Sequence, residues 1–266
     1  MSENLIAVII GIVEGVTEYL PVSSTGHMIL VGNMLGFEGE KASVFEVFIQ
    51  LGAILSVLFL YRDKFSRMFK PQKFSIYGNG LSIKHVLAGI VPVMGVGYLL
   101  HTHIKALFSP GVVIAGLIVG AIFMLIAEKV ARRPVVNNVD NITLKQAFFV
   151  GLFQMLALWP GFSRSGSTIS GGLILGISRT AAAEFSFIIA VPLMAVACLY
   201  DLLKVWDKLS MADIQMFAIG FGVAFVVAYF SVVWFIRFLN KSTLASFAYY
   251  RFVLAFMSYY YFFGRQ

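Results

Sequence analysis

In 266 residues this chain carries only 12% charged side chains against 59% hydrophobic ones, with a mean hydropathy of +0.88. Soluble domains average about 25% and about 45–50%, so a soluble globular protein is excluded and a polytopic membrane protein is indicated. The net charge of +7 would admit nucleic acid as a partner, but the basic residues fall in the breaks between apolar runs, where membrane topology accounts for them. Cys198, the single cysteine, excludes an intrachain disulfide and reads as packing in the lipid phase. The first residues hold Glu3 and no basic cluster, so a cleaved signal peptide is not expected.

The first apolar run, Leu5–Leu20, stops at Pro21 and resumes as Met28–Leu35. Six stretches are long and apolar enough to span a core of about 30 Å as helices: Ser43–Tyr61, His85–Leu100, Gly111–Ala127, Ala182–Leu203, Ala212–Phe235 and Ala245–Phe263. Between the third and fourth lies a second interrupted run, Leu144–Trp159, which stops at Pro160-Gly161 and resumes as Thr168–Ile177. Each interrupted run is two short half-helices around a polar break, the pattern of a re-entrant hairpin. Irregular backbone of that kind survives at membrane depth only inside protein or facing water. The expected fold is therefore an all-α integral membrane protein with six transmembrane helices and two re-entrant helical hairpins.

Charge sets the orientation. Arg62, Lys64, Arg67, Lys70, Lys73 and Lys84 face Asp63 alone and place their segment in the cytoplasm; Arg237 and Lys241 fall on the same side. Alternation then brings the first hairpin in from the outer face and the second from the cytoplasmic face. An internal repeat agrees. Gly11-Ile-Val-Glu14 recurs as Gly151-Leu-Phe-Gln154, and Pro21-Val-Ser-Ser-Thr-Gly26 as Pro160-Gly-Phe-Ser-Arg-Ser-Gly166, about 140 residues on. Residues 1–130 and 140–266 read as two inverted repeats, each a hairpin followed by three spans, within one membrane domain. Such repeats place functional groups where their broken helices converge near the midplane.

The first break concentrates chemistry. Glu14 and Glu18 lie four residues apart on one helical face. Their charges need a cation or an arginine nearby, and their oxygens suit Mg²⁺ or Ca²⁺; a protonated, hydrogen-bonded pair is the plainer alternative. Ser23, Ser24 and Thr25 supply hydroxyls and His27 a base, although hydroxyls beside a membrane proline also serve to satisfy freed backbone groups. In the second break, Pro160–Thr168 resembles an anion cradle: glycines allow close backbone approach, Ser163, Ser165 and Thr168 offer hydroxyls, and Arg164 a bidentate fork. Pairing of Arg164 with Glu14 or Glu18, or its snorkelling to the cytoplasm, are the competing uses. Glu46, Gln50 and Glu184 could orient the hairpins, with Glu184 and Arg179 as an interfacial pair. His85, His101 and His103 sit near helix ends, where a histidine needs no function. Gly116-Leu-Ile-Val-Gly120 and Gly172-Leu-Ile-Leu-Gly176 read as close helix packing. Tyr249-Tyr250 and Tyr259–Phe263 read as an interfacial aromatic belt.

At Glu14-Gly-Val-Thr-Glu18-Tyr-Leu-Pro-Val-Ser-Ser-Thr-Gly-His27 and Pro160-Gly-Phe-Ser-Arg-Ser-Gly-Ser-Thr168 the sequence resembles the undecaprenyl-pyrophosphate phosphatases of the bacitracin-resistance type, over essentially its whole length. The resemblance implies a divalent-cation-dependent enzyme of the bacterial cytoplasmic membrane, its site open to the outer face, that hydrolyses undecaprenyl pyrophosphate and recycles the carrier for peptidoglycan synthesis. It implies that the first-motif glutamates bind metal and take part in catalysis. A serine and His27 there are the candidate nucleophile and base, and Arg164 grips the pyrophosphate. Ser24 is the first choice of nucleophile, with Ser23 and His27 open. The inverted repeat by itself also suits a lipid flippase or transporter. An intramembrane serine protease would have no use for Arg164. A homodimer is left open.

Overall fold

A computed structural model of the chain describes residues 1–68, 80–131, 133–205 and 213–264. The described residues form helices joined by short turns, with a lone bridge between Val136 and Ile177 and no strand. Helix α1 (Glu3–Thr17) and α2 (Ser24–Leu35) flank the first break. They are followed by α3 (Glu40–Leu60), the short α4 (Arg62–Met68), α5 (Ile83–Leu99), the short α6 (His101–Ala106) and α7 (Pro110–Val130). Helices α8 (Leu144–Gln154) and α9 (Arg164–Ile174) flank the second break, and α10 (Arg179–Val205), α11 (Ile214–Leu239) and α12 (Ala245–Phe263) complete the chain.

Four of these, α3, α7, α10 and α11, are long and apolar enough to cross a membrane, which suits a multi-pass membrane protein. The other two expected spans differ from them for physical reasons. Helix α5 has only 17 residues. Helix α12 has 19 but carries tyrosines and Arg251, which dilute its hydropathy. Lys70 and Lys73 of the expected cytoplasmic segment, and Ala212 at the expected start of the fifth span, lie outside the described residues.

Packing explains the arrangement. Helix α1 lies against α11 so closely that a Cβ on Gly11 would sit 2.8 Å from the Gly220 carbonyl oxygen. The corresponding helix α8 lies against α5 in the same manner, with a Cβ on Gly151 brought to 2.6 Å from the Gly89 carbonyl oxygen. Helix α3 packs on α10, and α7 on α12. Helix α9 runs through the middle, with every residue from Ser165 to Leu173 buried, against α7, α8 and α10. A polar helix, rich in Ser, Gly and Thr, is therefore enclosed by protein, which satisfies the demand that such backbone stay away from lipid.

The polar side chains at helix ends are distributed differently from the sequence expectation. Arg179 makes a two-oxygen pair with Glu128, not with Glu184, and Glu128 also accepts the Leu244 backbone N–H. Glu184 instead pairs with Lys64 at 3.2 Å, tying α10 to α4. Gln50 accepts the Cys198 thiol, so it links α3 to α10. His85 caps α5 through Ser82.

Candidate active site at the meeting of the two breaks

Among the described residues, two non-glycine positions adopt positive φ: Ser23 at 70° and Ser163 at 78°. Each stands as the N-cap of the second half-helix in its break, and each Oγ accepts the backbone N–H three residues on, from Gly26 at 3.3 Å and from Gly166 at 3.1 Å. The local sequence Ser-x-x-Gly thus builds one and the same strained turn twice. Backbone of this kind costs about 1–3 kcal/mol and is held where a site needs it. The turn's purpose is visible in the next residue. Ser24 and Arg164 are each the first residue of their helix, and Arg164 reaches across to the first break.

They meet at Glu18. Ser24 donates its hydroxyl proton to Glu18 Oε2 at 2.6 Å, and Arg164 Nη2 donates to Glu18 Oε1 at 3.0 Å. The Arg164 and Glu18 side chains are only 13% and 9% exposed, so this is a buried pair that loses much if one partner is removed. Arg164 Nη1 also donates to the Ser186 carbonyl and hydroxyl, and its guanidinium lies over the Tyr19 ring at 5.3 Å. Its Nε–H has no hydrogen-bond partner among the described residues. Thr168 meets the Ser186 hydroxyl at 2.6 Å, and Ser165 donates to the Leu20 carbonyl at 2.8 Å, a second link between the breaks. Ser163 and Ser165 share a hydrogen bond. Thr25, the second residue of α2, is half-buried.

Of the expected pairings, Arg164 with Glu18 forms and Ser24 with His27 does not. The reason lies in the imidazole. His27 Nδ1 turns back to the Ser23 carbonyl at 2.8 Å, one helical turn earlier, and must be the protonated nitrogen because a carbonyl can only accept. Nε2 is then taken by the Tyr250 hydroxyl at 2.7 Å, with the two rings parallel to within 6°. Ser24 is left to the carboxylate. Tyr250 is therefore a contact of the site as well as an aromatic near the end of the chain.

Glu14 is buried one turn before Glu18, and neither of its carboxylate oxygens has a hydrogen-bond partner among the described residues. Its charged neighbours are Glu18, Glu46 and Arg164. A hard divalent cation fits this donor set: two unsatisfied oxygens on Glu14 with Glu18 beside them. Among the described residues no third His, Cys, Asp or Glu joins them as a ligand cluster, so phosphate and water oxygens would complete the shell, as Mg²⁺ in particular prefers.

Sequence reasoning missed Arg251. It is fully buried in the middle of α12 and donates to the carbonyls of Gly161, in the second break, and Gly116, in α7. Gly116 and Gly120 do serve close packing, but against the turn of the second break: a Cβ on Gly116 would lie 2.2 Å from the Pro160 carbonyl oxygen.

A family model described as bacitracin resistance protein BacA matches residues 7–257. The chain belongs to this family. Membership carries the undecaprenyl pyrophosphate phosphatases with it, in agreement with the two motifs, and the matched segment includes both breaks and Tyr250 and Arg251 of α12.

Proposed function

We propose that the protein hydrolyses undecaprenyl pyrophosphate to undecaprenyl phosphate and inorganic phosphate, recycling the lipid carrier of peptidoglycan synthesis at the bacterial cytoplasmic membrane. The observation that carries this reading is the unbroken contact from Ser24 through Glu18 to Arg164, a hydroxyl, a carboxylate and a guanidinium drawn from both breaks. In this reading α3, α5, α7, α10, α11 and α12 span the bilayer. The two breaks enter from opposite faces as an inverted repeat, and the site opens outward.

The prenyl tail lies along the apolar helices and its pyrophosphate at the crossing. Arg164 shifts part of its grip from Glu18 to phosphate oxygens, using the Nε–H left free, with Ser163, Ser165, Thr168 and the first amides of α9 beside it. Ser24 Oγ attacks the terminal phosphorus as its proton passes to Glu18 Oε2, and the bond to the bridging oxygen breaks to release undecaprenyl phosphate. Water then hydrolyses the phosphoserine, with His27, held by Ser23 and Tyr250, as the proton carrier of that step. A divalent cation, Mg²⁺ or Ca²⁺, bound by Glu14 and Glu18 would offset charge developing on the phosphate oxygens. Ser23 is an unsuitable nucleophile in this reading, because its hydroxyl caps α2 and it is buried.

The test is phosphate release from a polyprenyl pyrophosphate by the purified protein, with and without EDTA. One phosphate per lipid is expected, lost in EDTA and restored by Mg²⁺ or Ca²⁺. Lipid translocation in liposomes without phosphate release would overturn the reading in favour of a transporter. Full activity in EDTA would remove the cation from Glu14 and Glu18.

A further inference from the structure

Helix α12 reaches both breaks through two adjacent residues. Tyr250 holds His27 of the first, by the hydrogen bond to Nε2 and the parallel rings. Arg251 holds the second, with Nη2 donating at 2.9 Å to the Gly161 carbonyl in the turn ahead of Arg164 and at 3.0 Å to the Gly116 carbonyl on α7. We propose that Tyr250 and Arg251 are positioning residues that hold the two half-sites in register. Tyr250 fixes the His27 ring, and Arg251 clamps the turn that aims Arg164.

The burial of Arg251 shows that its place is built for it. The residue is 0% exposed, and no carboxylate among the described residues pairs with it. An unpaired buried cation is costly, so something must compensate it. Two backbone carbonyls do part of this, and α7 is shaped to allow it: a Cβ on Gly120 would lie 2.3 Å from Arg251 Nη2. On its other side Nη1 lies 3.2 Å from where a Gly166 Cβ would be, in the first turn of α9. The guanidinium thus sits behind the same helix N-terminus that carries Arg164 in front. Fixed positive charge on that side of the site has its natural counter-charge in a bound phosphate, so the clamp and anion binding support each other. A lysine would keep the charge but lacks the second nitrogen, Nη1, which donates to the Met124 sulfur and lies against the first turn of α9.

The kinetic part of the test rests on the phosphatase reading above, and the spectroscopic part does not. In the full-length purified protein Tyr250→Phe lowers kcat about tenfold with KM nearly unchanged, and adds nothing in a His27→Ala background. Arg251→Lys keeps the charge and raises KM for polyprenyl pyrophosphate about tenfold with a smaller change in kcat. Thermal midpoints in the same detergent separate these effects from loss of folded protein. With ¹⁵N-labelled histidine, Tyr250→Phe shifts the Nε2 resonance of His27 and leaves the other histidines in place. Wild-type kcat and KM in both variants would overturn the proposal, as would an unmoved His27 resonance or additive effects of Tyr250→Phe and His27→Ala. If the wild-type protein releases no phosphate, the phosphatase reading fails while the resonance shift still decides the Tyr250 contact.

Discussion

The first and second breaks share a scaffold and differ in chemistry. Both end a helix in an irregular turn, both place a positive-φ serine as N-cap, and both cap that turn onto a glycine amide three residues later. The residue launched from the turn is Ser24 in one and Arg164 in the other. Upstream, Glu14 corresponds to Gln154, and Glu18 to Leu158, so the acids belong to the first break alone. Gln154 shows what the neutral version does: it is fully buried and donates Nε2–H to the Gly89 carbonyl. Two like turns thus carry different groups, the hydroxyl of Ser24 and the carboxylates on one and the guanidinium of Arg164 on the other. Neither break holds hydroxyl, carboxylate and guanidinium together, and Glu18 is where the two join.

This contrast can be broken most severely at the launched residues. Ser24→Ala and Arg164→Ala are each expected to lower phosphate release by about 10²–10⁴-fold, by loss of the nucleophile and of charge stabilisation respectively. A loss under about tenfold in either variant would contradict its assigned role. The scaffold is the next target. Gly161→Ala puts a Cβ 2.2 Å from the Val113 carbonyl oxygen at a residue with φ of 89°, so protein yield and the thermal midpoint in detergent should fall sharply. Ser163→Ala removes the cap of α9 and should cost about 1 kcal/mol or more in denaturant titrations, and Ser23→Ala should act similarly on α2. The smallest effect is expected from Gln154→Glu. It tests whether acidity in the second break matters to catalysis: it should lower stability through the lost Gly89 bond while leaving kcat per folded molecule within about threefold.

Much of this was legible in the sequence. Apolar runs of about 20 residues marked the long helices, and Pro21 and Pro160-Gly161 marked both breaks, because a proline or glycine in such a run has a strong local effect on the backbone. Gly11 and Gly151, matched in the sequence, are both sites of close helix approach in the structure. What stayed hidden depended on distance in the chain or on backbone twist. Ser24 chooses Glu18 over His27 because Ser23 takes a positive φ and its carbonyl engages the imidazole, and neither fact has a sequence signature. Tyr250 is 223 residues from His27 and looks like any interfacial tyrosine. Arg251 did leave a signal: an arginine in the middle of an apolar helix is functional by default. The aromatic residues around it suggested a belt and masked that signal. Arg179 was assigned to the nearer acid in sequence, Glu184, whereas tertiary packing brings Glu128 to it.

Glu18 and Arg164 are the contact through which the two breaks form one site. A double-mutant cycle on phosphate release, using Glu18→Gln, Arg164→Gln and the double variant, tests this most directly. Residues that act as a unit are strongly non-additive, so the double variant should be no slower than the slower single one, to within about threefold. Losses that multiply would contradict the account and return the two breaks to independent roles.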